Sequence, residues 1–187
     1  MKKICVFALA GVLFYSCSNS TPKTEKVAEK PNQNLIEITN DMESAASMIP
    51  SWTNEKTVIQ TKNPAAHSGD YACITNDTAE YSYTYSELIK NINTGLPKQV
   101  AVSGWVYTTV AKPNFAIILD VSEKDKSYDW KAFPLSDSLV EKGKWVEFSN
   151  IFYFDKPLNP EQAIKIYAWN QAKKPIYIDD LKIVFEY

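Results

Sequence analysis

Apolar and polar positions alternate along most of the chain from residue 35 to residue 187, the two-residue period of half-buried β-strands. The pattern predicts strands at 35–38, 57–61, 71–75, 81–85, 100–107, 115–121, 145–154, 164–169 and 176–185. In 81–85 the rings of Tyr81, Tyr83 and Tyr85 share one face; in 115–121 Phe115, Ile117, Leu119 and Val121 do. In 164–169 the aliphatic Ile164, Ile166 and Ala168 fall on one side, leaving Lys165, Tyr167 and Trp169 on the other. Gly104, inside the strand at 100–107, predicts a β-bulge. Turn formers separate the segments: His67-Ser68-Gly69, Lys112-Pro113-Asn114, Glu141-Lys142-Gly143-Lys144 and Lys173-Lys174-Pro175. Helical periodicity is confined to a turn or two within 86–92. Nine or ten short strands with no intervening helices make an all-β domain, a sandwich or a barrel.

The pattern changes before residue 35. Met1-Lys2-Lys3 is positive, residues 4–14 are an apolar run too short to span a bilayer, and polar Ser18-Asn19-Ser20 follow Cys17. Ser16-Cys17 after Leu13-Phe14-Tyr15 resembles the lipobox of bacterial lipoproteins. That resemblance implies cleavage before Cys17, acylation of its sulfur and new amine, and stable anchoring by several chains on one residue. Ser18 in place of Asp resembles the outer-membrane sorting pattern. Residues 18–34, rich in Lys, Glu, Ser, Thr and Pro, cannot bury enough apolar surface to offset their ordering entropy and read as a tether. The expected organisation is a signal peptide at 1–16, a lipidated Cys17 with its tether at 17–34, and a β-sandwich domain at 35–187, held at the cell envelope.

Composition narrows the chemistry. The whole chain carries 20 lysines, no arginine and 22 acidic residues; removing 1–16 leaves 18 lysines, a formal charge of −4. A phosphate-binding surface needs a basic excess and arginine forks, so nucleic acid is excluded as the partner. With Cys5 in the signal and Cys17 on lipid, Cys73 stands alone and no intramolecular disulfide is available. Its apolar, strand-like setting reads as a small buried hydrophobe. The sequence has no Gly-rich phosphate loop, no His/Cys metal cluster and no serine elbow. His67 and Ser68 are adjacent in a turn, where side chains seldom aim at each other. These features argue against an enzyme.

Asn40-Asp41-Met42-Glu43, Trp52, His67-Ser68-Gly69-Asp70-Tyr71-Ala72, Val102-Ser103-Gly104-Trp105-Val106, Gly143-Lys144-Trp145 and Ile176-Tyr177-Ile178-Asp179-Asp180-Leu181 occur in one order. The series resembles the galactose-binding-like jelly roll of bacterial carbohydrate-binding modules, particularly the cellulose- and xylan-binding ones, over essentially the whole domain. The resemblance implies an antiparallel β-sandwich with Trp52, Trp105 and Trp145 in the core. It also implies a structural calcium held by Glu43, the backbone at Ser68 and Gly69, and Asp179, a set of oxygens suited to that ion.

Sugars are bound by aromatic faces flanked by a few oriented polar groups. The candidates are Tyr167 and Trp169 on the polar side of their strand, Asn170 just beyond, Tyr128 and Trp130 in a segment read as lying between strands, and Tyr107. Two functions stay open. One is a non-catalytic glycan-binding lipoprotein whose partner is a polysaccharide or oligosaccharide, which predicts that Trp130, Tyr167 and Trp169 converge with Lys165 or Asn170 nearby. The other is a structural or protein-docking envelope lipoprotein of the same fold, which predicts those rings buried or scattered.

Overall fold

The computed structural model describes residues 34–45, 49–124 and 126–187. The stretch expected to be a signal peptide, Cys17 and residues 18–33 of the expected tether lie outside the described residues. Among the described residues the alternating pattern becomes β1 (Leu35–Asn40), β2 (Trp52–Thr53), β3 (Val58–Gln60), β4 (Tyr71–Thr75), β5 (Thr84–Leu88), β6 (Gln99–Thr108), β7 (Phe115–Glu123), β8 (Lys126–Pro134), β9 (Lys144–Tyr153), β10 (Ala163–Asn170) and β11 (Ile176–Glu186). One helical turn, α1 (Ile89–Ile92), follows β5 and buries Ile89.

Two antiparallel sheets result. The first runs β3-β4-β11-β6-β9, with β1 paired to the second half of β11, and the second runs β2-β5-β10-β7-β8. From β4 onward the chain passes between sheets at nearly every connection, so β10 is flanked by β5 and β7, strands distant from it in sequence. Val100, Val102 and Val106 of β6 and Ile178, Ile183 and Phe185 of β11 meet Ile117, Leu119 and Val121 of β7 and Ile164 and Ile166 of β10 in a single core. Each such side chain, fully buried, contributes about 1.5–3 kcal/mol. This is an antiparallel β-sandwich, one of the two architectures the strand pattern left open and the one the resemblance implied.

Several local expectations are corrected. Residues 128–130 belong to the regular strand β8 and do not connect strands. The bulge predicted at Gly104 sits in its partner: Trp105 pairs with Asp179 and Ser103 with Lys182, so Gly104 faces both Asp180 and Leu181. Gly104 makes room for it, since an added Cβ would lie 3.0 Å from Leu181 Cδ2 and 3.2 Å from the Asp179 carbonyl oxygen. The shared face of Tyr81, Tyr83 and Tyr85 breaks because the ladder of β5 starts only at Thr84. Tyr83 and Tyr85 enter the core, while Tyr81 remains 47% exposed on the other side. Of the three tryptophans expected inside, only Trp52 is buried. Trp105 and Trp145 alternate out of phase with Val106 and Phe148 and stand half-buried on the outer face of the six-stranded sheet.

Candidate functional site

The outer face of the five-stranded sheet is built by the second parity of β10, β7 and β8. Three rows cross it, following the strand register. Ser86, Lys165, Asp120 and Trp130 form the first, Tyr167, Ile118 and Ala132 the second, and Tyr81, Trp169, Ala116 and Pro134 the third. The β7 side chains are short, and Ile118, although on the outer face, is fully buried beneath its neighbours. The rings therefore gather around a low central strand.

Trp130 and Trp169 pack edge to face, ring centroids 6.2 Å apart. Trp169 and Tyr81 lie nearly parallel at 6.4 Å, and Tyr81 meets Tyr167 edge-on at 5.6 Å. Such pairs add about 0.5–1.5 kcal/mol beyond area burial and hold the rings in fixed orientations. Trp130 stays 45% exposed. Burial pushes the Tyr167 hydroxyl pKa up, opposed by hydrogen bonding with Trp130. The Trp169 indole N–H is buried without a hydrogen-bond partner.

Of the expected ligand residues, Trp130, Tyr167 and Trp169 come together here. Tyr81 joins them although the alternation of 81–85 had grouped it with the core tyrosines. Asp120 was also missed, yet its position followed from the burial of Leu119 and Val121 on either side. Asn170 is a correction: it is fully buried on the core side, with its Nδ2 donating to Thr75 Oγ1 (3.1 Å) and the Lys174 carbonyl (2.8 Å), while its Oδ1 accepts from the Lys173 N–H (3.1 Å). It ties the end of β10 to the other sheet and offers nothing to a ligand. Tyr107 is on the opposite side of the sandwich, 5.7 Å from Trp145 and 6.0 Å from Tyr177. Tyr128 is occupied at the margin of β8, where its hydroxyl donates to the Pro157 carbonyl (3.0 Å) and the Lys156 ammonium sits 4.9 Å from its ring centroid.

The residues assigned to calcium also meet, at the turn before β4, but as a hydrogen-bonded clamp. Glu43 Oε1 accepts from the Asp70 and Tyr71 N–H groups at 2.9 and 2.8 Å. Asp179 Oδ2 accepts from the His67 and Ser68 N–H groups at 2.9 and 3.2 Å, and its Oδ1 accepts from the Asp180 N–H at 2.8 Å. Burial pushes the Asp179 pKa up to about 6. Gly69 contributes its positive φ of 57° and its missing Cβ, which would overlap the Glu43 carboxylate. Both carboxylates accept from backbone amides, and among the described residues no group of three or more His, Cys, Asp or Glu side chains is gathered to hold a metal ion without backbone oxygens. Ser68 Oγ and His67 Nδ1 both bond Asp180 (2.6 and 2.5 Å), and the imidazole stacks on Trp105 at 3.9 Å.

A cleft of about 380 Å³ lined by Thr39, Asn40, Asp41, Ser44, Ile49, Asp180, Leu181 and Lys182 lies at the β1–β11 margin, away from these rings. The aromatic face is open surface, a shape suited to a chain lying across it more than to an enclosed small molecule.

No protein-family model matches the chain, and no curated protein matches it. Among solved structures it is similar to the CBM22-1 xylan-binding domain of Paenibacillus barcinonensis Xyn10C, at 17% identity over 80% of this chain and 93% of that one, with a TM-score of 0.49. It is similar to the C-terminal family 22 carbohydrate-binding module of Clostridium thermocellum Xyn10B at 12% identity, over 80% and 92% of the chains, TM-score 0.47. TmCBM61, solved with β-1,4-galactotriose, gives 16% identity over 75% and 92%, TM-score 0.41. At these values the sandwich rests on its own sheet order, and the ligands named belong to those proteins.

Proposed function

We propose that this chain is a non-catalytic carbohydrate-binding lipoprotein of the bacterial cell envelope, and that the outer face of its five-stranded sheet holds the glycan. The observation that carries this reading is the contiguous set Tyr81, Tyr167, Trp169 and Trp130, with Tyr81 47% and Trp130 45% exposed on one sheet face. Rings fixed by mutual packing lose little freedom on binding, and their apolar faces match the C–H face of a pyranose ring. The lipobox-like 13–17 segment supports the envelope location.

Binding is tested by tryptophan fluorescence and affinity electrophoresis against soluble xylan, β-1,4-galactan, mixed-linkage β-glucan, galactomannan, polygalacturonate and chitosan. At least one polymer should bind, and Trp130→Ala should weaken it by about 2 kcal/mol, about 30-fold. A flat response to every polymer by the folded protein overturns the reading in favour of the protein-docking alternative. The anchor is tested by metabolic labelling of the full chain with a clickable palmitate, which Cys17→Ser should abolish.

A further inference from the structure

Among the described residues only two lysines are drawn in from solvent, Lys131 and Lys165. Lys131 is neutralised by Asp155 and by Asp129, whose nearer oxygen is 3.7 Å away. Lys165 makes neither a hydrogen bond nor an ion pair, although it sits on the aromatic face between Ser86 and Asp120 in the register of the sheet. Its side chain is half-buried, and its ammonium keeps three donors that no protein group takes.

Asp120 is its direct cross-strand neighbour, where an opposite charge would ordinarily close a pair. It does not close one. The Asp120 Oδ1 instead accepts from Ser127 Oγ at 2.7 Å, and its second oxygen takes no hydrogen bond from the protein. Trp130 stands opposite Asp120 on the next strand, and Tyr167 follows Lys165 by two residues on the same face. One free acceptor and one free donor thus lie one strand apart, in the same row as Trp130 and next to the row of Tyr167.

We infer that Asp120 and Lys165 are the specificity-determining polar pair of this face and select neutral sugar units carrying adjacent free hydroxyls. One hydroxyl donates to the free Asp120 oxygen, and the oxygen of its neighbour accepts from the Lys165 ammonium. The two charges cancel locally, so a neutral diol satisfies both. A uronate carboxylate drawn to Lys165 also faces the Asp120 carboxylate one strand away, and an amino sugar drawn to Asp120 also faces Lys165, so a charged unit gains one partner only with a like-charge contact that a neutral diol avoids. The inference rests on the glycan-binding reading and adds the class of glycan.

The test uses the same polymers with Lys165→Met, Lys165→Gln and Asp120→Asn, each checked for an unchanged melting temperature. Neutral polymers should bind the wild type at least tenfold more tightly than polygalacturonate or chitosan, a comparison that needs no variant. Each substitution should weaken the best neutral polymer at least tenfold. Wild-type affinity in all three variants, or equal affinity for polygalacturonate and the neutral polymers, overturns the inference. If Trp130→Ala abolishes binding while the three polar variants retain it, the pair is refuted and the aromatic face stands. If no polymer binds the wild type, both readings fall.

Discussion

Gly69→Ala isolates the clamp that joins the first strand region to the turn before β4. Gly69 has φ of 57°, and a methyl there costs about 1–2 kcal/mol from the left-handed backbone alone. The added Cβ would also overlap the Glu43 carboxylate and lie 3.0 Å from its Cγ. Glu43 is long enough to swing aside, so the steric cost becomes the loss of its two bonds to the Asp70 and Tyr71 N–H groups. Both lie at the surface, where water replaces part of each bond, leaving about 1 kcal/mol apiece. Gly69→Ala should therefore cost about 3–4 kcal/mol, Glu43→Ala about 2, and the double variant about 3–4. The coupling of about 2 kcal/mol is the quantity to measure, by urea unfolding of all four proteins with matched m-values. Equal cost of Gly69→Ala in the presence and absence of Glu43 would refute the overlap and leave only backbone strain.

Other outcomes follow from the same geometry. Because the Glu43 and Asp179 carboxylates are committed to amides, EGTA or millimolar calcium should move the melting temperature by less than about 1 °C; a rise of several degrees on adding calcium would show that the turn opens to hold the ion. Asp179, raised from 3.8 to about 6 by burial, binds more protons folded than unfolded between those values, so its contribution to stability falls as pH rises through the window. Asp179→Asn should flatten that slope, read from urea midpoints at pH 4 and 6.5, even though it lowers stability overall by misplacing an amide among N–H donors. Asn170→Leu should cost about 2–4 kcal/mol by stranding the Lys173 N–H and the Lys174 carbonyl, yet leave polymer binding intact, which separates it from the rings it was grouped with.

Inside the ladders, side-chain parity was legible and reliable. Ile164, Ile166 and Ala168 turned inward and Tyr167 and Trp169 outward because β10 is paired on both sides and cannot slip without exposing its aliphatic face. One further step of the same alternation puts Asn170 inside, where it is found; composition suggested a sugar ligand, and parity overrides it. Trp105 and Trp145 follow the same rule against the core position implied by the family resemblance. Parity fails only where the ladder does. Tyr81 precedes β5 and touches the sheet through one isolated bridge to Trp169, so no count from Tyr83 could place it. The Asp120–Lys165 opposition was illegible for a different reason: it depends on which strands are neighbours, and β7 and β10 are joined through a chain that passes into the other sheet in between.

The sandwich carries aromatic rings on both outer faces, and the difference between them is what selects the site. On the six-stranded sheet Tyr153 stays 60% exposed at the end of β9, but the segment before β4 seats itself on the two tryptophans: His67 stacks on Trp105 at 3.9 Å, Trp145 Nε1 donates to the Ala65 carbonyl at 3.1 Å, and Asp180 fixes His67 from the bulge of β11. Those rings already have an occupant supplied by the chain, and they stabilise the turn that the Glu43 and Asp179 clamp also holds. On the five-stranded sheet, Trp130 and Tyr81 keep nearly half their surface in water while Trp169 and Tyr167 hold them rigid from below. Lys165 and the second Asp120 oxygen are left without protein partners in the same place. Exposed apolar area is tolerated singly and costly in a cluster. Under the glycan-binding proposal these rings and polar groups serve one ligand, apolar on its face and hydroxylated at its edge.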